Sequence, residues 1–260
     1  MPGVTHHPLD PLGRAPGRAG LFLDFDGVLA DIAPTPEGAV ARAGIPELLE
    51  ALQARLGRVA IVSGRPVNYL DAMIPMSVDI VGLYGLEWRS AGVNHTLPEA
   101  EPWRSVMGEL IDEAVAEFGV PVVEPKGLSL TLHYRGDPTL AGPIAEWARK
   151  AADVTGVEVR SAKLSFELHP PIHRDKGTAL VELADGLDPV AYMGDDLGDL
   201  PAFDGLDQLA RHGVTTVRIA VSSEEAPPML LNRADQVVDG PAGAQALLDG
   251  LLEHVASAPR

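Results

Sequence analysis

Leu21-Phe22-Leu23-Asp24-Phe25-Asp26-Gly27-Val28-Leu29-Ala30 is the stretch from which the rest of the chain can be read. Leu21, Phe22 and Leu23 form a short, wholly apolar run, the pattern of a strand buried on both faces of a parallel sheet. Asp24 and Asp26 therefore emerge at its C-terminal end, where open α/β sheets bind their ligands. Two carboxylates so close repel each other unless a cation lies between them. An all-oxygen donor set favours a hard divalent ion, and Mg²⁺ is the expected one.

Further on, Ile45, Leu48, Leu49, Leu52 and Leu56 recur at helical spacing, with Gly57 as a stop. Val59–Val62 reads as a second buried strand ending at Ser63-Gly64-Arg65. Pro66 opens a helix through about Met73, and the Val78–Leu83 strand runs into a turn at Gly85-Leu86-Glu87. Strand–helix–strand–helix–strand predicts a parallel sheet with right-handed crossovers. From about Glu99 the order becomes helix, two strands, helix, two strands, an α+β insert. The alternating core resumes after Pro170-Pro171, with Lys176-Gly177 opening a helix. A strand at Val190–Met193 then ends in Gly194-Asp195-Asp196-Leu197-Gly198-Asp199. Helix Leu200–Ala210, strands Thr216–Val221 and Gln236–Val238 and helix Ala242–Val255 complete the core, and Glu224–Pro228 reads as a loop.

The fold class expected is thus α/β, a parallel-sheet core carrying an inserted α+β domain. The expected division is a loose N-terminal tail over residues 1–19, a core of 20–97 and 171–260, and an insert of 98–170. His6 and His7 fall in the tail and read as incidental. In the insert, the period of two along Leu128–Tyr134 puts Leu128, Leu130, Leu132 and Tyr134 on one face. Ser129, Thr131, His133 and Arg135 share the other, as do Ser165, Glu167 and His169 on the last strand. Such an array suits sugar hydroxyls, and a lid carrying it would lower it onto a catalytic core.

A formal charge of −17 argues against non-specific binding to nucleic acid or to an anionic membrane surface. No apolar run is long enough to span a bilayer, and the N-terminus has no apolar signal core. With no Cys, disulfides and thiolate metal sites are excluded, and a cytoplasmic setting is compatible.

Asp24/Asp26, Ser63, Lys176 and the 195–199 acids each stand at a strand end or a helix start, and together they are what phosphoryl transfer through an enzyme carboxylate requires. Asp24 would attack phosphorus. Asp26 would protonate the leaving alkoxide and then deprotonate water. Ser63 and Lys176 would hold the transferring oxygens. Asp195, with Asp24 and the backbone carbonyl of Asp26, would hold Mg²⁺, and Asp199 would orient a ligand or water.

These four motifs, in this order and with an α+β insert after the second, resemble the haloacid dehalogenase superfamily of phosphohydrolases. More narrowly, Ser63-Gly64-Arg65, Gly85-Leu86-Glu87, the Lys126…Ser129…His133-Tyr134-Arg135 strand and Glu167…Lys176-Gly177 are similar to the trehalose-6-phosphate phosphatase family. The resemblance implies a Mg²⁺-dependent hydrolase acting on a small sugar phosphate in trehalose biosynthesis, with a functional link to a trehalose-phosphate synthase. It implies Gly27, Gly64, Arg65, Glu87, Lys126, His133 and Glu167 as substrate contacts. It departs from the family at Gly198 and Leu200, where Thr and Glu are usual. A phosphatase of another sugar phosphate, of the sucrose 6-phosphate or mannosyl phosphate type, is the nearest alternative. A catalytically silent phospho-sugar-binding regulator is a third reading, against which the intact acids and Lys176 weigh.

Overall fold

The computed structural model describes residues 8–33, 35, 38–162, 164–224 and 226–257. They form two compact units. One runs to His95 and resumes at Arg174; the other is Thr96–His173. The sequence had put the insert's borders at 98 and 170.

The first unit is built on an eight-stranded sheet. Its strands are β1 (Gly20–Leu23), β2 (Arg58–Val62), β3 (Asp79–Gly82), β4 (Glu87–Ser90), β5 (Val93–Thr96, whose last residue opens the second unit), β10 (Val190–Gly194), β11 (Thr216–Ser222) and β12 (Gln236–Asp239), in the order β12-β11-β10-β1-β2-β3-β4-β5. β1 sits at the centre, parallel to both β2 and β10, and every residue of β1 and β10 is buried. Alternation along these strands divides the core. Leu21, Leu23, Val59, Ile61, Ala191 and Met193 face one apolar layer with α2 (Ile45–Gln53) and α9 (Gly240–Ser257). Phe22, Ala60, Val62 and Tyr192 face another with α6 (Lys176–Leu183) and α7 (Leu200–Arg211). Gly177 and Gly205 let α6 and α7 approach closely, since a Cβ on Gly177 would lie 2.2 Å from the Pro201 carbonyl oxygen.

Three expectations are corrected. Residues 8–19 are not a loose tail. Asp10–Arg14 form α1, Leu9 and Leu12 are fully buried, and Gly13 lies against the His254 ring of α9. Residues 1–7, with His6 and His7, lie outside the described residues. Glu87 opens β4 instead of closing a turn. β4 pairs antiparallel with β3 and is joined to β5 through Ala91 and Gly92, both at positive φ (49° and 74°), as a two-residue hairpin turn requires. Finally, α8 (Pro228–Arg233) begins at the last residue of the expected Glu224–Pro228 loop, where no further element was expected, and α3 (Val67–Leu70) is shorter than the helix expected through about Met73.

β4 is anchored by Arg89, which is 1% exposed. Its guanidinium donates to Asp71 Oδ1 (2.7 Å) and to the carbonyls of Ile74, Pro75 and Val78, stapling the β3 approach to the hairpin.

The second unit packs α4 (Trp103–Phe118) and α5 (Ala141–Thr155) on one face of a four-stranded antiparallel sheet. The strands are β6 (Val123–Pro125), β7 (Leu130–His133), β8 (Glu158–Ala162) and β9 (Ser165–His169), ordered β6-β7-β9-β8. Leu130, Leu132 and Leu168 meet Met107, Leu110, Ile144 and Ala148 in its core. Among the described residues no helix is long and apolar enough to cross a membrane.

Candidate active site

Asp24 directly follows β1 and is 5% exposed. Its Oδ1 accepts from the Phe25 amide at 2.7 Å, and its Oδ2 lies 2.8 Å from Lys176 Nζ. Lys176 reaches it from the first residue of α6, whose start is capped by Asp175 through the Thr178 amide. The same ammonium contacts Asp199 Oδ1 at 2.6 Å.

Asp199 is wholly buried, and donors saturate it. Oδ1 also accepts from Tyr192 Oη at 2.6 Å, and Oδ2 accepts from the Asp195 and Asp196 amides at 2.8 and 3.1 Å. Gly194 makes room, since a Cβ there would lie 2.2 Å from the Asp199 carboxyl carbon. Asp199 therefore braces both Lys176 and the loop that presents Asp195.

Carboxylate oxygens of Asp24, Asp195 and Asp199 lie within 4.8 Å of one another. The electrostatics is that of acids assembled without a counter-ion. Burial, reinforced by repulsion from Asp199 and Asp196, pushes Asp195 up to about 8. Burial also raises Asp24 well above the carboxylate range; Lys176 opposes that rise, and the neighbouring acids add to it. For Lys176 burial acts downward, but the Asp199 and Asp24 carboxylates outweigh it and keep the ammonium protonated. A divalent cation would relieve this repulsion, and two buried carboxylates that cannot comfortably ionise alone fit one. Gly27 is part of the same cradle. Its φ is +70°, and a Cβ would fall 2.1 Å from Asp195 Oδ2.

Asp26 and Arg65 form a second arrangement. Arg65 Nε and Nη2 donate to Oδ2 and Oδ1 of Asp26, each at 2.8 Å. The guanidinium stacks 4.7 Å above the Tyr69 ring. Ser63 is 1% exposed, and its Oγ accepts from the Arg65 amide at 3.2 Å. Gly64 allows close approach of Tyr84, whose hydroxyl would stand 2.6 Å from a Cβ there. Glu87 accepts from the Val67 amide at the start of α3.

The remaining sequence candidates gather on the polar face of the second unit's sheet. Lys126 Nζ lies 3.5 Å from Glu167 Oε1 and 3.8 Å from Glu124 Oε2. Ser129 Oγ donates to Glu167 Oε1 at 3.2 Å, and His133 Nε2 meets Glu124 Oε2 at 2.8 Å. Glu124 joins Lys126 to His133 and is the member that sequence reasoning missed. Its register opposite Thr131 puts it on the polar face, a pairing seen only in the folded sheet.

The chain is similar to known proteins along most of its length. The trehalose-phosphatase family model matches residues 22–235. An uncharacterised glycosyl hydrolase of Mycobacterium tuberculosis is 33% identical over 207 residues, covering 73% of this chain and 15% of that one. A probable trehalose-phosphate phosphatase of Sinorhizobium fredii is 31% identical over 210 residues, covering 76% of this chain and 77% of that one. The C-terminal domain of a C. albicans trehalose-6-phosphate phosphatase shares the fold, with a TM-score of 0.72 at 22% identity over 95% of each chain. The chain spans less than a sixth of the first of these relatives and about three quarters of the second. On the strength of a match that takes in both the Asp24 strand and the Asp195 loop, the chain belongs to the trehalose-phosphatase family.

Proposed function

We propose that this protein hydrolyses trehalose 6-phosphate to trehalose and phosphate, with Mg²⁺, through an aspartyl-phosphate on Asp24. The observation that carries the reading is the buried Asp24 carboxylate, held by Lys176 within reach of Asp195 and Asp199. Asp24 and Asp195, with the Asp26 backbone carbonyl, would hold the ion, while Asp199 braces the loop. When bound, Mg²⁺ supplies charge neutralisation that lets an anionic phosphoryl group approach an anionic nucleophile.

The chain's own groups account for the rest. A carboxylate oxygen of Asp24 forms the bond to phosphorus as the bond to the sugar oxygen breaks, and Asp26 gives that oxygen its proton. In the second half, Asp26 takes a proton from water as the water oxygen bonds to phosphorus, and phosphate leaves with Asp24 regenerated. Lys176 and Ser63 offer donors to the phosphoryl oxygens. In the second unit, Lys126, Glu124, Glu167, Ser129 and His133 are the donors and acceptors that sugar hydroxyls take.

The test is Mg²⁺-dependent phosphate release from trehalose 6-phosphate, sucrose 6-phosphate, glucose 6-phosphate and mannose 6-phosphate. A preference of about a hundredfold in kcat/KM for trehalose 6-phosphate, roughly 2.7 kcal/mol of transition-state discrimination, supports the named substrate. Comparable turnover of all four keeps the phosphatase and discards the disaccharide. Release from none would favour a silent phospho-sugar binder.

A further inference from the structure

Three successive residues past the end of β3 have positive φ: Leu83 at 48°, Tyr84 at 57° and Gly85 at 103°. Gly85 takes that region freely. For Leu83 and Tyr84 it crowds Cβ against the backbone, and turns of this kind are ordinarily built from Gly, Asn or Asp. Leu83 is 1% exposed, so burial of its side chain offsets the strain. Tyr84 is only half-buried and belongs to neither apolar layer of the sheet. Strain of this sort persists where the surroundings hold it, and it gathers at functional sites.

What holds Tyr84 is the Ser63–Arg65 loop. The Ser63 amide donates to the Val81 carbonyl at 2.9 Å, the Tyr84 amide to the Ser63 carbonyl at 3.2 Å, and the Leu83 amide to the Arg65 carbonyl at 3.1 Å. The turn thus grips the loop's backbone on both sides of Gly64. The phenol closes over the residue between: a Cβ on Gly64 would lie 2.6 Å from Tyr84 Oη and 2.7 Å from Cζ, so a side chain there would push the ring away. Gly85, next in the turn, lies against Arg174, two residues ahead of Lys176, and a Cβ on it would fall 2.8 Å from Arg174 Nε. The turn therefore touches both the loop that carries Ser63 and Arg65 and the segment that leads into Lys176.

We propose that Tyr84 is a positioning residue for phosphoryl transfer. Its ring fixes the Ser63–Arg65 loop, so that the Ser63 hydroxyl stays in place and Arg65 keeps its fork on Asp26. The inference rests on the phosphatase reading above and extends it to a residue to which that reading gives no part. The competing accounts are a ring that only fills the turn and a phenol that touches the sugar itself.

Tyr84→Asn removes the ring and accepts the left-handed region more readily than Tyr does. It is assayed with the sugar ester that the parent turns over best and with p-nitrophenyl phosphate, which has no sugar. The expected result is a fall in kcat of about tenfold or more with both, with KM within about threefold. Tyr84→Phe, which keeps the ring, should hold kcat within about threefold of the parent. In an Arg65→Met background the Asn substitution should cost less than about threefold, because the fork through which most of its effect passes is already gone. A Tyr84→Asn kcat within about threefold of the parent, whatever the Tm, makes the ring a filler and overturns the inference. A loss confined to the sugar ester, or one that Tyr84→Phe shares, makes the phenol a direct contact and overturns it too. A full tenfold loss again in the Arg65→Met background does the same, since Tyr84 then acts independently of the loop. If Tyr84→Asn does not fold, Tyr84→Leu is read by the same limits. A parent that turns over no sugar ester overturns the proposed function and takes this inference with it, whereas the other outcomes leave that function standing.

Discussion

Arg65 grips Asp26 through two parallel hydrogen bonds, Nε to Oδ2 and Nη2 to Oδ1, both at 2.8 Å. In the proposed mechanism Asp26 passes a proton in both halves of the hydrolysis; the forked pair fixes its orientation, and one of the two hydrogen bonds opens for that oxygen to carry the proton. The Tyr69 ring beneath the guanidinium limits its other rotamers. Arg65→Met should therefore lower kcat by about ten- to a hundredfold, part of the 10²–10⁴ that general acid–base catalysis contributes. Arg65→Lys should restore little, since an ammonium cannot fork. Steady-state kinetics separates this from direct phosphate binding by Arg65, which would appear mainly in KM.

Asp24→Asn replaces the proposed nucleophile with an amide of the same shape. Turnover should fall by at least about a thousandfold. Rapid-quench trapping should detect no phosphoenzyme, and Tm should stay within a few degrees because Asp199 still holds Lys176. A variant keeping more than a tenth of parental activity would remove Asp24 from that role.

Arg89→Met tests the staple in the core. Losing a buried guanidinium takes a donor from Asp71 Oδ1 and three carbonyls; Pro75 keeps the Val78 amide and Asp71 keeps Asn94, whereas the Ile74 and Val78 carbonyls lose the donor they have from Arg89. A cost of about 3 kcal/mol follows from the unpartnered groups. Tm should fall by roughly 6–12 °C for a chain of this size. Urea titration gives the stability directly, and activity per folded molecule should be unchanged.

Asp195 gives stability a pH dependence of known sign. In the folded protein it holds its proton up to about 8, against 3.8 as the ordinary value. Between those limits the folded state binds more protons than the unfolded state, so this contribution falls as pH rises, by up to about 1.4 kcal/mol per pH unit. His169, whose pKa is lowered, acts oppositely: its contribution grows as pH rises toward 6.5 and is complete above it. Asp195→Asn should reduce the loss between those limits, leaving the part of the same sign that the raised Asp24 and Asp196 carry. In the parent, excess Mg²⁺ should raise Tm more at pH 8 than at pH 5, because protons compete for the same oxygens. A Mg²⁺ response equal at both pH values would contradict the Asp195 assignment. Differential scanning calorimetry in EDTA and in Mg²⁺ reads all of these.

What the sequence discloses follows from how strongly a pattern is forced. β1 and β10 are buried on both faces, so nothing but apolar runs could occupy them, and the acids at their ends stand out. β4 escaped because its inward residue is Arg89, an ion that reads as surface until its acceptors are seen. α1 escaped because its Pro- and Gly-rich setting hides two buried leucines. Asp26 and Arg65 were both picked out by the sequence as candidates, but their mutual grip depends on side-chain rotamers, which spacing does not encode. Glu124 was invisible for a related reason: its partners, Lys126 and His133, are brought to it by a turn and a cross-strand register.

The pairing of Leu21 with Ala191 has a consequence for synthesis. The nascent chain exposes β1 with its two acids early, yet one flank of that strand stays open until β10 has left the ribosome. The whole second unit emerges in the interval, and it has a core of its own to fold around. Once folded, it shortens the free tether that must close for β10 to find β1, which lowers the entropy cost of closure. The Asp24 carboxylate, the Lys176 ammonium and Asp199 therefore come into register only when the last-made third of the chain docks.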